Sequence, residues 1–140
     1  MILDLSPLDQ AVHSLEDAIT DSNDQKFMSS LTSSQNKLII AGVIQNFEFT
    51  YELCWKFIKR WLTENIGKTQ VDGVTRRELF RLAAKHKLIQ SVDEWMLYHQ
   101  ARNQTSHTYD ENTASEVFTV AQGVARHAKS LLSVLTEKND

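Results

Sequence analysis

Between Leu38 and Leu62 there is no proline, and the only glycine is Gly42. Over that stretch Ile40, Ile44, Phe47, Tyr51, Cys54, Trp55, Ile58, Trp61 and Leu62 recur at spacings of three and four. Such spacing puts side chains on one face of an α-helix. A helix so rich in large apolar groups must sit at the centre of a bundle or at an interface. The rest of the chain agrees. Four glycines and one proline in 140 residues leave too few breakers for a turn-rich β fold, and no segment alternates with period two. The expected architecture is all-α: an antiparallel four-helix bundle with an additional short helix.

Local signals mark the other helices. Ser6 reads as the N-cap and Pro7 as the first position of a first helix, carried on by Leu8, Val12, Leu15 and Ile19, with Phe27 and Leu31 extending the same face. "SLTSSQN" reads as a polar joint, and Gly67 as the residue that ends the long helix. "TRRE" from Thr75 and "SVDE" from Ser91 are capping-box patterns, each opening a helix. The second of these carries Trp95, Tyr98 and Arg102. A last helix is expected from about Thr113, with Val117, Val120, Val124, Leu131 and Leu135 on one side.

Totals bound the function. A chain of this length makes one domain over residues 1–140, able to bury roughly two thirds of its unfolded surface. Its net charge of −3 excludes a uniformly basic nucleic-acid binder and leaves room for a local basic patch. The lone Cys54 cannot form an internal disulfide, lies in an apolar run and is expected to be inert. "MILDLSPLDQ" lacks the marks of a signal peptide, and no apolar run approaches a membrane span. Cytoplasmic location, with no membrane contact, is the expectation.

Polar chemistry concentrates in "ARNQTSHTYDEN", residues 101 to 112. Arg102 and His107 are five apart, about 140° on a continuous helix, so one helix would not aim both at one target. Asn103 and His107 are four apart and would share a face if the helix ran that far, so that Asn103 could brace the imidazole. The spacing invites a site completed by a frayed helix end or by a second copy of the chain.

These residues also carry a resemblance. Arg102, His107 and Tyr109, read as Arg-x-x-x-x-His-x-Tyr, resemble the signature of the HEPN superfamily. "FEFTYELCWKFIKRWL", with Phe47, Glu48, Glu52, Trp55 and Lys56, is similar to the second-helix block of one branch. "ARNQTSHTYDENTA" resembles its second block. That branch is the nucleotidyltransferase substrate-binding protein family, the HEPN partners encoded beside a minimal nucleotidyltransferase. The resemblance covers about residues 8 to 135. It implies a fold similar to the helical C-terminal domain of kanamycin nucleotidyltransferase and a homodimer with the motif lining an intersubunit cleft. Proteins of the HepT type are toxins that cut RNA without metal, and the neighbouring nucleotidyltransferase acts as antitoxin and can transfer AMP to the motif tyrosine, here Tyr109. The filling "QTS" is more polar than the aliphatic one common in HepT-type toxins.

The residue types suit that chemistry. His107 can move a proton near neutral pH. Arg102 offers a planar fork for phosphate oxygens, a contribution of about 3–4 kcal/mol per preorganised donor. Asn103 would orient the imidazole and Ser106 would add a hydrogen bond. Tyr109 would accept an adenylyl group, or pack as a loop residue. Glu48 and Glu52, one turn apart, are expected to pair with Lys56 or Arg102 rather than hold a metal. Arg77, Arg81 and Lys85 form a basic stripe that is either a solvated face or a contact for RNA or an acidic partner. Trp55, Trp61 and Trp95 belong to the core or an interface. The other histidines have no ligand spacing, so no metal and no cofactor is expected. Three roles stay open: a metal-independent endoribonuclease, a non-catalytic substrate-binding subunit of a two-component nucleotidyltransferase, or a helical scaffold.

Overall fold

The computed structural model describes residues 2–139; the two end residues of the 1–140 domain expectation lie outside them. The helices are α1 (Ser6–Asn23), α2 (Gln25–Ser29), α3 (Ser33–Ile66), α4 (Lys68–Val71), α5 (Arg76–Lys85), α6 (Val92–Gln104) and α7 (Glu111–Glu137), with a 3₁₀ turn over Thr105–His107. Among the described residues there is no strand.

Helices α1, α3, α6 and α7 form the antiparallel bundle, and α5 is the additional short helix, packed on α3 and α6. α1 and α6 each run antiparallel to both α3 and α7, while α3 and α7 touch across the middle. Cross-helix bonds fix this register. Ser14 Oγ donates to Asn46 Oδ1 (2.6 Å) between α1 and α3. Asn139 accepts from the Leu3 amide (2.8 Å) and donates to the Leu3 carbonyl (2.9 Å), tying the chain ends together.

The long helix starts earlier than its apolar face indicates. Thr32 and Gln35 build a reciprocal capping box, so the polar joint itself contains the helix start. Gly67, at φ 100°, ends α3 in a conformation that side chains resist. Phe47, Tyr51, Cys54, Ile58 and Leu62 are fully buried; Phe57, which the periodic reading omitted, joins them. Each such side chain contributes about 1.5–3 kcal/mol by leaving water.

Three local expectations are corrected. α1 opens at Ser6 with Leu5 before it, because Asp4 accepts from both the amide and the hydroxyl of Ser6. α1 does not continue to Leu31: Asp24 breaks it by capping α2, and Phe27 is left partly exposed. α7 starts at Glu111 rather than near Thr113, since Asp110 accepts from the amide and hydroxyl of Thr113. Thr75 and Ser91 do cap α5 and α6.

Candidate functional site

Arg102 lies in the last turn of α6, facing α3. Its Nε donates to Glu52 Oε1 at 3.1 Å, and Nη1 lies 3.8 Å from Glu48 Oε2. Nη1 also donates to Thr105 Oγ1 (3.1 Å), whose hydroxyl donates back to the Arg102 carbonyl (2.7 Å). Glu52 is held from its other side, where Oε2 accepts from the Trp55 indole at 3.0 Å. The two glutamates, one turn apart on α3, thus close on Arg102 rather than on Lys56. All three side chains keep about a third of their surface exposed. Nε and Nη1 are hydrogen-bonded within the protein, and among the described residues no such bond is made by Nη2.

The helix does not reach His107. It tightens after Gln104 into the 3₁₀ turn, closed by Thr108 Oγ1 donating to the Thr105 carbonyl (3.1 Å) and the Asp110 amide to the His107 carbonyl (3.2 Å). The turn changes the angular spacing, so Asn103 and His107 do not share a helical face. Asn103, Ser106 and His107 are exposed, and no hydrogen bond within the chain joins Asn103 or Ser106 to the imidazole. The bracing role expected of Asn103 is therefore not made within one chain. The His107 ring stands edge-on to Tyr109 at 6.3 Å between centroids, and Tyr109 is 86% exposed. No hydrogen bond joins Arg102 to His107; the Arg102 side chain is about a third exposed and His107 is exposed. A cleft of about 470 Å³ beside the turn is lined by Thr108, Tyr109 and apolar groups of α3 and α7 such as Ile40, Ile44 and Phe118.

Sequence reasoning missed the polar layer next to Arg102. The Arg76 guanidinium stacks on the Trp55 ring at 3.5 Å from its centroid. Tyr51, buried, is hydrogen-bonded to His99 Nδ1 at 2.8 Å. Burial pushes the Tyr51 phenol well above its ordinary range, so the phenol donates and the imidazole accepts. Burial first, then the neighbouring Arg76 and Arg102, pull His99 below the usual histidine value, against Glu52. A second relay lies on the far side of α6. Glu94 Oε2 accepts from His127 Nε2 (2.8 Å), and His127 Nδ1 is hydrogen-bonded to Tyr98, whose phenol burial raises to about 12. Glu94 therefore serves His127 instead of completing a capping box. The one available signal was His99 standing three residues before Arg102 on one helix; the pairings with α3 and α7 have no sequence signature.

The basic stripe is spread out. Arg77 pairs with the exposed Asp93 at 3.7 Å, while Arg81 and Lys85 line a shallow surface with Glu78. Cys54 is buried, and its thiol is pushed up by burial. Trp61 and Trp95 are core, whereas Trp55 is half-buried at the edge of the site. Among the described residues no three His, Cys, Asp or Glu side chains are grouped to ligate a metal, and no helix is long and apolar enough to cross a membrane.

Comparison with known proteins gives this geometry a context. A relative from Haemophilus influenzae, named probable ribonuclease HepT, is 33% identical over 98% of this chain and 94% of its own length. A solved structure from the same organism, described as revealing the fold of a substrate-binding domain of a nucleotidyltransferase, superposes with a TM-score of 0.92 at 33% identity, covering 95% of this chain and 99% of the other. A Thermus thermophilus protein shares the fold at a TM-score of 0.71 and 23% identity, over 91% of this chain and 98% of its own. The family described as nucleotidyltransferase substrate binding protein like matches residues 3–137. Family match, identity and superposition agree over nearly the whole chain: it belongs to the nucleotidyltransferase substrate-binding protein family, the HEPN branch that its two sequence blocks resemble.

Proposed function

We propose that the chain is a metal-independent endoribonuclease of the HEPN toxin type, active as a homodimer and restrained by a minimal nucleotidyltransferase partner. The observation that carries this reading is the clamp on Arg102. Glu48, Glu52 and Thr105 fix the guanidinium with one edge free, while an exposed imidazole sits on the turn that follows. The relative named as a probable ribonuclease supports the same reaction class. In this mechanism the RNA's own 2′-hydroxyl attacks the adjacent phosphorus. His107 takes up the hydroxyl proton, and Arg102 Nη2 meets the charge that builds on the phosphorane oxygens. The 5′-oxygen leaves with a proton supplied by a second imidazole, from the partner copy. Ser106 and Asn103, exposed beside His107, would reach RNA or that second copy.

Restraint would come through Tyr109. Its exposed phenol oxygen attacks the α-phosphorus of ATP in the partner enzyme, pyrophosphate leaves, and the phenol proton passes to solvent. The added phosphate then repels RNA from the site.

One observation favours a second reading. Two carboxylates face one guanidinium, so the clamp carries net negative charge, a weaker phosphate site than a free arginine. That suits a non-catalytic subunit presenting substrate to a nucleotidyltransferase. Purified chain incubated with labelled RNA in EDTA separates the two. Cleavage that disappears in Arg102→Ala and in His107→Ala is the expected result. Intact RNA together with tight partner binding selects the second reading.

A further inference from the structure

Adjacent to the Arg102 clamp, α3 presents Lys56, Lys59, Arg60 and Thr63, spaced three and four apart and so forming one ridge of about 10 Å. The ridge lines a cleft of about 380 Å³ whose floor includes Trp55 and Leu3. Arg76 joins it from α5 by stacking on Trp55. Among the described residues, none of Lys56, Lys59, Arg60 and Arg76 lies within 4.0 Å of a carboxylate. The one acid lining the cleft, Glu64, stands at the end away from Arg102. Four unneutralised cations on one surface are out of proportion in a chain of net charge −3.

Placement matters as much as charge. Trp55 donates its indole proton to Glu52, the carboxylate that holds Arg102. The cleft therefore begins one side chain away from the clamp. Stacking fixes the plane of the Arg76 guanidinium; part of it is directed at the Tyr51 phenol, and its remaining in-plane N–H groups can meet an anion. With the Trp55 face covered by Arg76, the cleft is built to follow a phosphate backbone rather than to stack bases. Attack by a 2′-hydroxyl also needs an in-line geometry that a flexible single strand reaches and an A-form duplex does not.

We propose that this cleft is the binding track for the phosphate backbone of single-stranded RNA, which it delivers to Arg102. The assignment rests on the RNA reading above, and its test separates the two. The His107→Ala protein is titrated with a fluorescent 2′-O-methyl oligouridylate, which cannot be cleaved. Four phosphate contacts give a slope of log affinity against log salt near −3. Lys59→Glu and Arg60→Glu, each added singly, weaken binding about eightfold or more at about 50 mM salt and flatten the slope by about 0.7 or more. Lys26→Glu, the same charge change on α2, leaves both unchanged. Thermal melts confirm that the exposed variants fold. Binding with this pattern by a chain that never cuts RNA ends the nuclease reading and leaves the track assigned. No oligonucleotide binding, or equal losses in all three variants, overturns it. So do losses confined to ATP or to the nucleotidyltransferase partner.

Discussion

At the scale of single residues, Thr105 has two tasks. Its buried hydroxyl closes the end of α6 by donating to the Arg102 carbonyl, and it accepts from the Arg102 side chain. Valine has nearly the same shape and can do neither. Thr105→Val is expected to destabilise the fold by about 1–2 kcal/mol, read from the midpoint of urea unfolding. An unchanged midpoint would show that water replaces the hydroxyl. His99 gives a prediction in pH. Its folded value lies below the ordinary 6.5, because burial and the cations Arg76 and Arg102 outweigh Glu52. Below 6.5 the unfolded chain therefore takes up this proton more readily than the folded one. The stability tied to His99 is complete above 6.5 and is lost as pH falls through its folded value. His13 works in the opposite sense: its value is raised, first by a hydrogen bond to the Asp9 carbonyl, so its contribution fades as pH rises. Melting temperatures at pH 7.5 and 5.5 should fall less in His99→Gln than in the parent, while the phenol of Tyr51 keeps an amide partner. Equal falls would remove His99 as the cause.

Elements show how much of the fold can be read before it is seen. Helix-period apolar spacing located α1, α3 and α7, since burying one face is what drives each to form, and α6 was located by the capping pattern at Ser91. Ends were read less well, because they depend on single hydrogen bonds rather than on a pattern. The end of α5 illustrates this. It carries no glycine, yet Lys87 adopts φ 62° just past the helix, with the Leu88 amide bonded to the Ala83 carbonyl at 2.8 Å. Glycine takes this left-handed conformation without penalty. Lys87→Gly is therefore expected to stabilise the fold by up to about 1 kcal/mol, checked by thermal or urea unfolding. Within helices the argument reverses. At Gly42 an added methyl meets nothing within 4 Å, and Gly42→Ala should gain about 0.5–1 kcal/mol in the same assay. At Gly123 the methyl would stand 3.2 Å from the Tyr98 hydroxyl, which His127 holds in place, so the same change should gain nothing or destabilise.

At the scale of the whole molecule, the proposed cleavage calls for a second imidazole. The motif spacing would turn Arg102 and His107 about 140° apart on one helix, and in the fold no hydrogen bond joins them. Arg102 was one of the two partners expected for Glu48 and Glu52, and it is the one they take; what was not legible is that Thr105, in the turn after α6, would join them. Under the homodimer proposed above, a second copy would cover the surface beside the clamp. Leu38 and Phe49, 69% and 65% exposed, are eleven residues apart on α3, so about 20° apart around it. Phe49 adjoins Glu48, and Leu97 is exposed on α6, the helix that carries Arg102. Large apolar groups left bare next to a half-built site are stabilised when a partner covers them. In a two-fold pair the same patch serves both chains, so one His107 can approach the other chain's Arg102. Sedimentation velocity should then give twice the chain mass for the parent and the single-chain mass for Phe49→Glu, with helicity retained. RNA cleavage should fall with dimer content across a dilution series. A Phe49→Glu monomer that cuts RNA at the parent rate would place the whole reaction within one chain, and the exposed patch would then have to serve the nucleotidyltransferase instead.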